Sequence, residues 1–172
     1  MGKFREYLES MNNSFVIEAF DTSYKINKKE KINAGGNITT LYYIDINSKK
    51  YRVFVEESKD EIEDKPNINL HIGFEYYDEV TKDFTIKGLH TVLGTKEVLG
   101  LFGTVLKILK TIAFDNIMVC SGESKKFRLY LRMVERLAKE FNIKNVIHND
   151  ECIFMFNSDY KPSFKFKYKI KL

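Results

Sequence analysis

The chain has 172 residues and a net charge of +4, from 28 basic and 24 acidic residues. That length fits one domain with a substantial core, and 14 Phe and 10 Tyr among interspersed charges exclude wholesale disorder. So small a net charge does not by itself mark a nucleic-acid binder; the distribution of the charges matters more.

Taken in chain order, Met1 to Met11 places Phe4, Tyr7, Leu8 and Met11 at helical spacing, which predicts a short amphipathic helix ended by Asn12-Asn13-Ser14. Ser14 to Phe20 reads as a strand. Residues 21 to 38 are polar and lysine-rich around Gly35-Gly36, and read as a loop or a ragged hairpin. TTLYYIDI and KKYRVFVEE then flank Asn47-Ser48-Lys49 as a β-hairpin. The acidic run from Glu56 to Lys65 reads as a solvated loop. INLHIGFEYY is a strand in which Gly73 marks a bulge, and a turn at Asp78–Asp83 leads to FTIKG.

The second half changes character. Residues 96–112 form a helix that is apolar over most of its girth, through Val98, Phe102, Val105, Leu109 and Ile112 with Leu99, Leu101, Leu106 and Ile108 beside them. Such a helix is buried between other elements. NIMVCS is a short, central, apolar strand. Ser124 to Phe141 is a second helix, apolar through Phe127, Leu131, Val134, Ala138 and Phe141 and basic outside it. VIHNDECIFMF and SFKFKYKIKL close the chain as two strands. The organisation expected is a leader or helix at 1–13 and a single domain at 14–172.

Cys120 and Cys152 sit in apolar runs and read as two buried thiols in a reducing compartment. No stretch is apolar over a bilayer's width, and the N-terminus lacks a secretory pattern, so the expected location is cytoplasmic, in a host cell or a virion if phage-encoded.

Three constellations hold groups capable of chemistry. Gly94, Gly100 and Gly103 lie around the start of the first long helix, where free N–H groups and the dipole favour phosphate; glycine there equally serves close packing. His148-x-Asp150-x-Cys152 carries three metal-ligand types, but on one straight strand they splay too far apart to close on an ion, so no metal site is expected. In the tail, Lys165, Lys167, Lys169 and Lys171 alternate with apolar residues. That lysine row either protects an edge strand or, with Lys125, Arg128 and Arg132, offers charge to nucleic acid or an acidic partner.

The order of elements after residue 68 resembles the second half of the GNAT acetyltransferase fold. The run GLFGTVLKILKTI with IMVCSGESKKFRLYLRM is similar to a group of small tailed-phage proteins of that general fold. The resemblance implies an α+β fold, a mixed and mostly antiparallel sheet with packed helices. It also implies an acetyl-CoA site in which Lys96, Gly100, Gly103 and Thr104 face the pyrophosphate, Tyr130 is the general acid and Glu123 stands where an Asn is usual. The sequence departs from the family's phosphate loop at Glu97, which has the wrong sign for a diphosphate, and at Gly103, one residue late. Three functions follow as expectations: an accessory phage protein on a degenerate acetyltransferase-like scaffold that binds an acidic macromolecule, an acyl-CoA-dependent N-acyltransferase, and a nucleic-acid-binding module.

Overall fold

The structure, a computed structural model, describes residues 22–62, 65–86, 93–120, 127–148, 152–157 and 168–170. The first half is a meander of antiparallel strands, β1 (Ile26–Ala34), β2 (Asn37–Ile46), β3 (Lys49–Ile62) and β4 (Lys65–Asp78), with the short β5 (Asp83–Thr85) folded back on the end of β4. Two of its turns are set by local chemistry. Gly35 and Gly36 take φ of 59° and 89°, and Asn47 and Ser48 take 50° and 65°. Consecutive positive φ values give the twist that two-residue hairpins favour. Between β4 and β5, the Asp78 carboxylate accepts from the Val80 N–H at 2.8 Å, and the Asp78 carbonyl accepts from the Lys82 N–H at 2.8 Å.

The second half adds α1 (Thr95–Leu109), β6 (Asn116–Cys120), α2 (Phe127–Glu140), β7 (Asn145–His148), β8 (Cys152–Phe156) and β9 (Tyr168–Ile170). The nine strands among the described residues join one sheet in the order β1-β2-β3-β4-β6-β8-β7-β9, with β5 on β4. The β4–β6 pair is parallel, from Asn69↔Asn116 to Ile72↔Val119, and α1 makes the crossover it requires. α2 ends in a Schellman motif. Asn142 has φ 52°, the Ile143 N–H reaches the Ala138 carbonyl at 2.7 Å, and buried Ile143 supplies the accompanying apolar contact.

A single core forms on one face of the sheet. Tyr42, Ile44, Tyr51, Val53, Leu70, Ile72, Phe74, Ile117, Val119, Ile153 and Met155 project from the strands against α1 and against Met133, Val134, Leu137 and Ala138 of α2. Lys110 at the end of α1 pairs with Glu140 at the end of α2 at 2.6 Å, beside the edge-to-face contact of Phe114 and Phe141. No helix among the described residues is long and apolar enough to cross a membrane.

Several expectations are corrected. The α+β, GNAT-like fold is overturned by a mostly β architecture: among the described residues 55% is strand against 21% helix, with two helices. Of the two readings of residues 21–38, the hairpin is the one found, with 26–34 as its first strand, whereas residues 56–62, which read as a loop for their polarity, are the end of a strand held by its backbone ladder. The register around Phe54↔Gly73 is continuous, so Gly73 is no bulge. It is the place where the Phe54 ring crosses the strand, and a Cβ there would overlap that ring. VIHNDECIFMF is not one strand but β7 and β8. Cys120 and Cys152 are not thiols: they face each other across the β6–β8 ladder, with Cα atoms 4.1 Å apart, and are joined as a disulfide. The helix and strand expected within residues 1–20 lie outside the described residues.

Two outcomes are expected. Gly73→Ala should cost about 1–3 kcal/mol in urea unfolding, the usual penalty of overpacking, and should couple non-additively to Phe54→Ala; additive effects would show that the ring does not depend on the glycine. Reduction of Cys120–Cys152, which spans 32 residues, should remove roughly 3–4 kcal/mol by loop-closure entropy, read as a lower unfolding midpoint with reductant and none in Cys152→Ser.

Candidate binding surface on the open face of the sheet

Among the described residues, those expected at a cofactor site are mostly packed into the protein. Gly94 precedes α1, and the Glu97 carboxylate lies beside it in the first turn, taking a hydrogen bond from Asn47 Nδ2 at 3.3 Å. The positive end of the helix thus faces the chain's own carboxylate. Gly100 and Gly103 are buried. A Cβ on Gly100 would stand 2.8 Å from the Tyr24 ring. Thr104 is 1% exposed; its hydroxyl donates to the Gly100 carbonyl at 2.9 Å and accepts from the Tyr24 N–H at 2.8 Å. Burial, and then the Glu97 carboxylate, raise the Tyr24 hydroxyl above its ordinary pKa. Of Lys96, Gly100, Gly103 and Thr104, Lys96 alone is exposed.

The other sequence candidates fall partly outside the described residues. Arg128, Tyr130 and Arg132 lie on α2, and Lys169 lies on β9 opposite Ile147. Glu123, Lys125, Lys165, Lys167 and Lys171 lie outside the described residues, as does Asp150. His148 ends β7 and Cys152 begins β8 in a disulfide, so the three-ligand strand does not exist. Among the described residues no group of three His, Cys, Asp or Glu is placed to hold a metal ion.

What the sheet does bring together lies on its other face, opposite α1 and α2. Because strand side chains alternate, Tyr43, Arg52 and Tyr77 point away from the core formed by Tyr42, Tyr51 and Phe74. Phe84 of β5 joins them through its register with Tyr77. The Arg52 guanidinium lies over the Phe84 ring, 4.3 Å from its centroid. Tyr43 and Tyr77 meet the same ring edge-on at 5.7 and 5.4 Å. Arg52 Nε is paired with Glu75 Oε2, both about one-fifth exposed. Burial alone would lower the Arg52 pKa; the Glu75 carboxylate and then the Tyr43 hydroxyl outweigh it, and the net shift is upward. The guanidinium is therefore a fixed cation.

Around this centre the charges are matched in pairs. Tyr43 donates its hydroxyl to Glu30 at 3.0 Å, and Lys28 reaches the same carboxylate at 3.0 Å while lying over the Tyr43 ring. Lys50 lies over Tyr77 and stands opposite Asp45 in the ladder. Further along, His71 Nδ1 is 3.5 Å from Glu56, and its ring meets Phe54 edge-on. At the β4–β6 junction, Asn116 donates to Asn67 and Asn69 at 3.0 and 2.8 Å, and its own carbonyl oxygen is buried without a hydrogen-bond partner among the described residues. Half-exposed rings, fixed by paired charges, are what the centre of a protein-binding surface requires.

None of Tyr43, Arg52, Glu75, Tyr77 or Phe84 was singled out by the sequence. The signal was present in the hairpin strands, where the positions alternating with Tyr42, Ile44, Val53 and Val55 hold aromatic and charged residues rather than small polar ones.

Lys28, first, and the Tyr43 hydroxyl, second, hold the Glu30 carboxyl below its ordinary pKa. Because folding lowers this pKa, the contacts stabilise the folded chain at neutral pH, and that contribution is lost as pH falls through the folded-state value. In an NMR titration Glu30 should protonate at lower pH than an ordinary glutamate, and Lys28→Ala and Tyr43→Phe should each move it upward. A Glu30 that titrates normally would show that the pair does not persist in solution. Comparison of the chain with models of known protein families, with curated proteins and with solved structures found no match.

Proposed function

We propose that this chain acts by binding a protein partner, as an accessory protein, through the open face of its sheet. The observation that carries this reading is the half-exposed cluster of Tyr43, Tyr77 and Phe84 held around Arg52. Rigid rings contribute contact area at small entropic cost, and the Arg52–Glu75 pair keeps the centre in one arrangement. Since Lys28 and Arg52 each already have a carboxylate, the surface around Phe84 offers a polyphosphate little uncompensated charge, which favours a protein over a nucleic acid. With the likeness of the run through residues 98–141 to small tailed-phage proteins, the partner we infer is a host or phage protein.

The acyl-CoA reading has weaker support, because Gly100, Gly103 and Thr104 are packed inside the protein and Glu97 occupies the helix start. The nucleic-acid reading rests on the tail lysines, whose side chains lie outside the described residues.

A photo-reactive amino acid in place of Tyr77 or Phe84, in cells that naturally express the chain, tests the proposal. A discrete protein adduct is expected from these positions and not from exposed Lys107 on the helix side. Adducts with nucleic acid alone, or equal labelling from Lys107, would overturn it.

A further inference from the structure

We infer that β1 is a docking edge that takes an extended acidic segment of a partner protein as an added strand. β1 is the terminal strand of the sheet, and among the described residues it has a neighbour on one edge only. It is nine residues long, and every residue but half-buried Glu30 is exposed. A strand so long, bare on both faces and joined by one ladder, leaves a row of backbone donors and acceptors available for pairing.

The side chains state which strand fits. In the register with β2, Lys29 and Lys31 share one face, across from Tyr42 and Thr40, and neither has a carboxylate partner among the described residues. Lys28, Glu30 and Ile32 share the other face. There Glu30 is already engaged by Lys28, and Ile32 is 44% exposed. An incoming strand is therefore matched when it carries two acidic residues, two apart, beside Lys29 and Lys31, with an apolar residue between them on the Ile32 face. Like charges directly opposed disfavour pairing of one β1 with a second β1, so the lysines select against the simplest self-association while leaving an acidic strand welcome. This goes beyond the open-face reading and uses a different surface.

The test uses the full chain and a synthetic peptide of alternating Glu and Val, with an alternating Lys and Val peptide as control. The Glu–Val peptide should slow hydrogen exchange of β1 amides, and Lys29→Glu with Lys31→Glu should weaken its binding by about tenfold with circular dichroism unchanged. Phe84→Ala should leave this binding intact, which separates it from failure of the open-face reading. The inference is overturned by unchanged β1 exchange at saturating peptide, or by equal binding of the Lys–Val control. It is also overturned if sedimentation shows the chain associating with itself and the double charge reversal restores the monomer, since the acidic run at residues 56–64 of a second copy would then be the occupant.

Discussion

The arrangement depends on covering one helix completely. From Val98 to Leu106 every residue of α1 is buried, and its apolar side chains meet the sheet on one side and α2 on another, with Tyr24 on Gly100. Each large apolar side chain so buried contributes on the order of 1.5–3 kcal/mol, more than any ion pair on the surface of this protein supplies. The requirement fixes the rest. The helix lies over the central strands, so β6 must return parallel to β4, and α2 must lie alongside to cover what the sheet leaves open. Gly100 belongs to the same requirement: it lets the Tyr24 ring approach the helix backbone, and Thr104 completes the seal by bonding the Tyr24 N–H.

Putting both helices on one side divides the sheet into a dry face and a wet one. On the dry face the strands contribute aliphatic and aromatic groups with few polar atoms. On the wet face polar atoms are largely satisfied by one another: Arg52 with Glu75, Glu30 with Lys28 and Tyr43, Asn67 with Asn69. A half-buried pair such as Arg52–Glu75 adds little net stability, since desolvation offsets its attraction, but removing one member leaves an uncompensated charge. Such pairs hold geometry, and geometry is what a recognition surface needs.

How much of this was legible varies by element, for physical reasons. The β2–β3 hairpin announced itself because Asn47-Ser48 sits between strands of strict alternation, and α1 because its apolar residues cover more than one stripe. β1 reads as a loop or a ragged hairpin since INKKEKINA buries almost nothing; what decides for the hairpin is β2 across the Gly35-Gly36 turn, a tertiary term absent from local pattern. The same holds for the acidic extension of β3. The disulfide could not be read because it depends on the register of two strands 32 residues apart in sequence. The likeness to acetyltransferases rested on element order around α1 and β6, and order alone did not convey how far strand outweighs helix. The open-face cluster was visible as rings at alternate positions, yet only the placement of β5 puts Phe84 among them.

The parallel seam between β4 and β6 also governs the order in which the molecule is assembled. The meander from β1 to β5 involves only neighbours in sequence, so it closes early, whereas the two helices that cover its apolar side among the described residues leave the ribosome later. A nascent chain halted after β5 would hold Tyr51, Val53, Leu70 and Ile72 without α1 and α2 over them, a sticky half-sandwich. Chaperone dependence during synthesis is therefore expected to concentrate in the interval between the end of β5 and the emergence of α1.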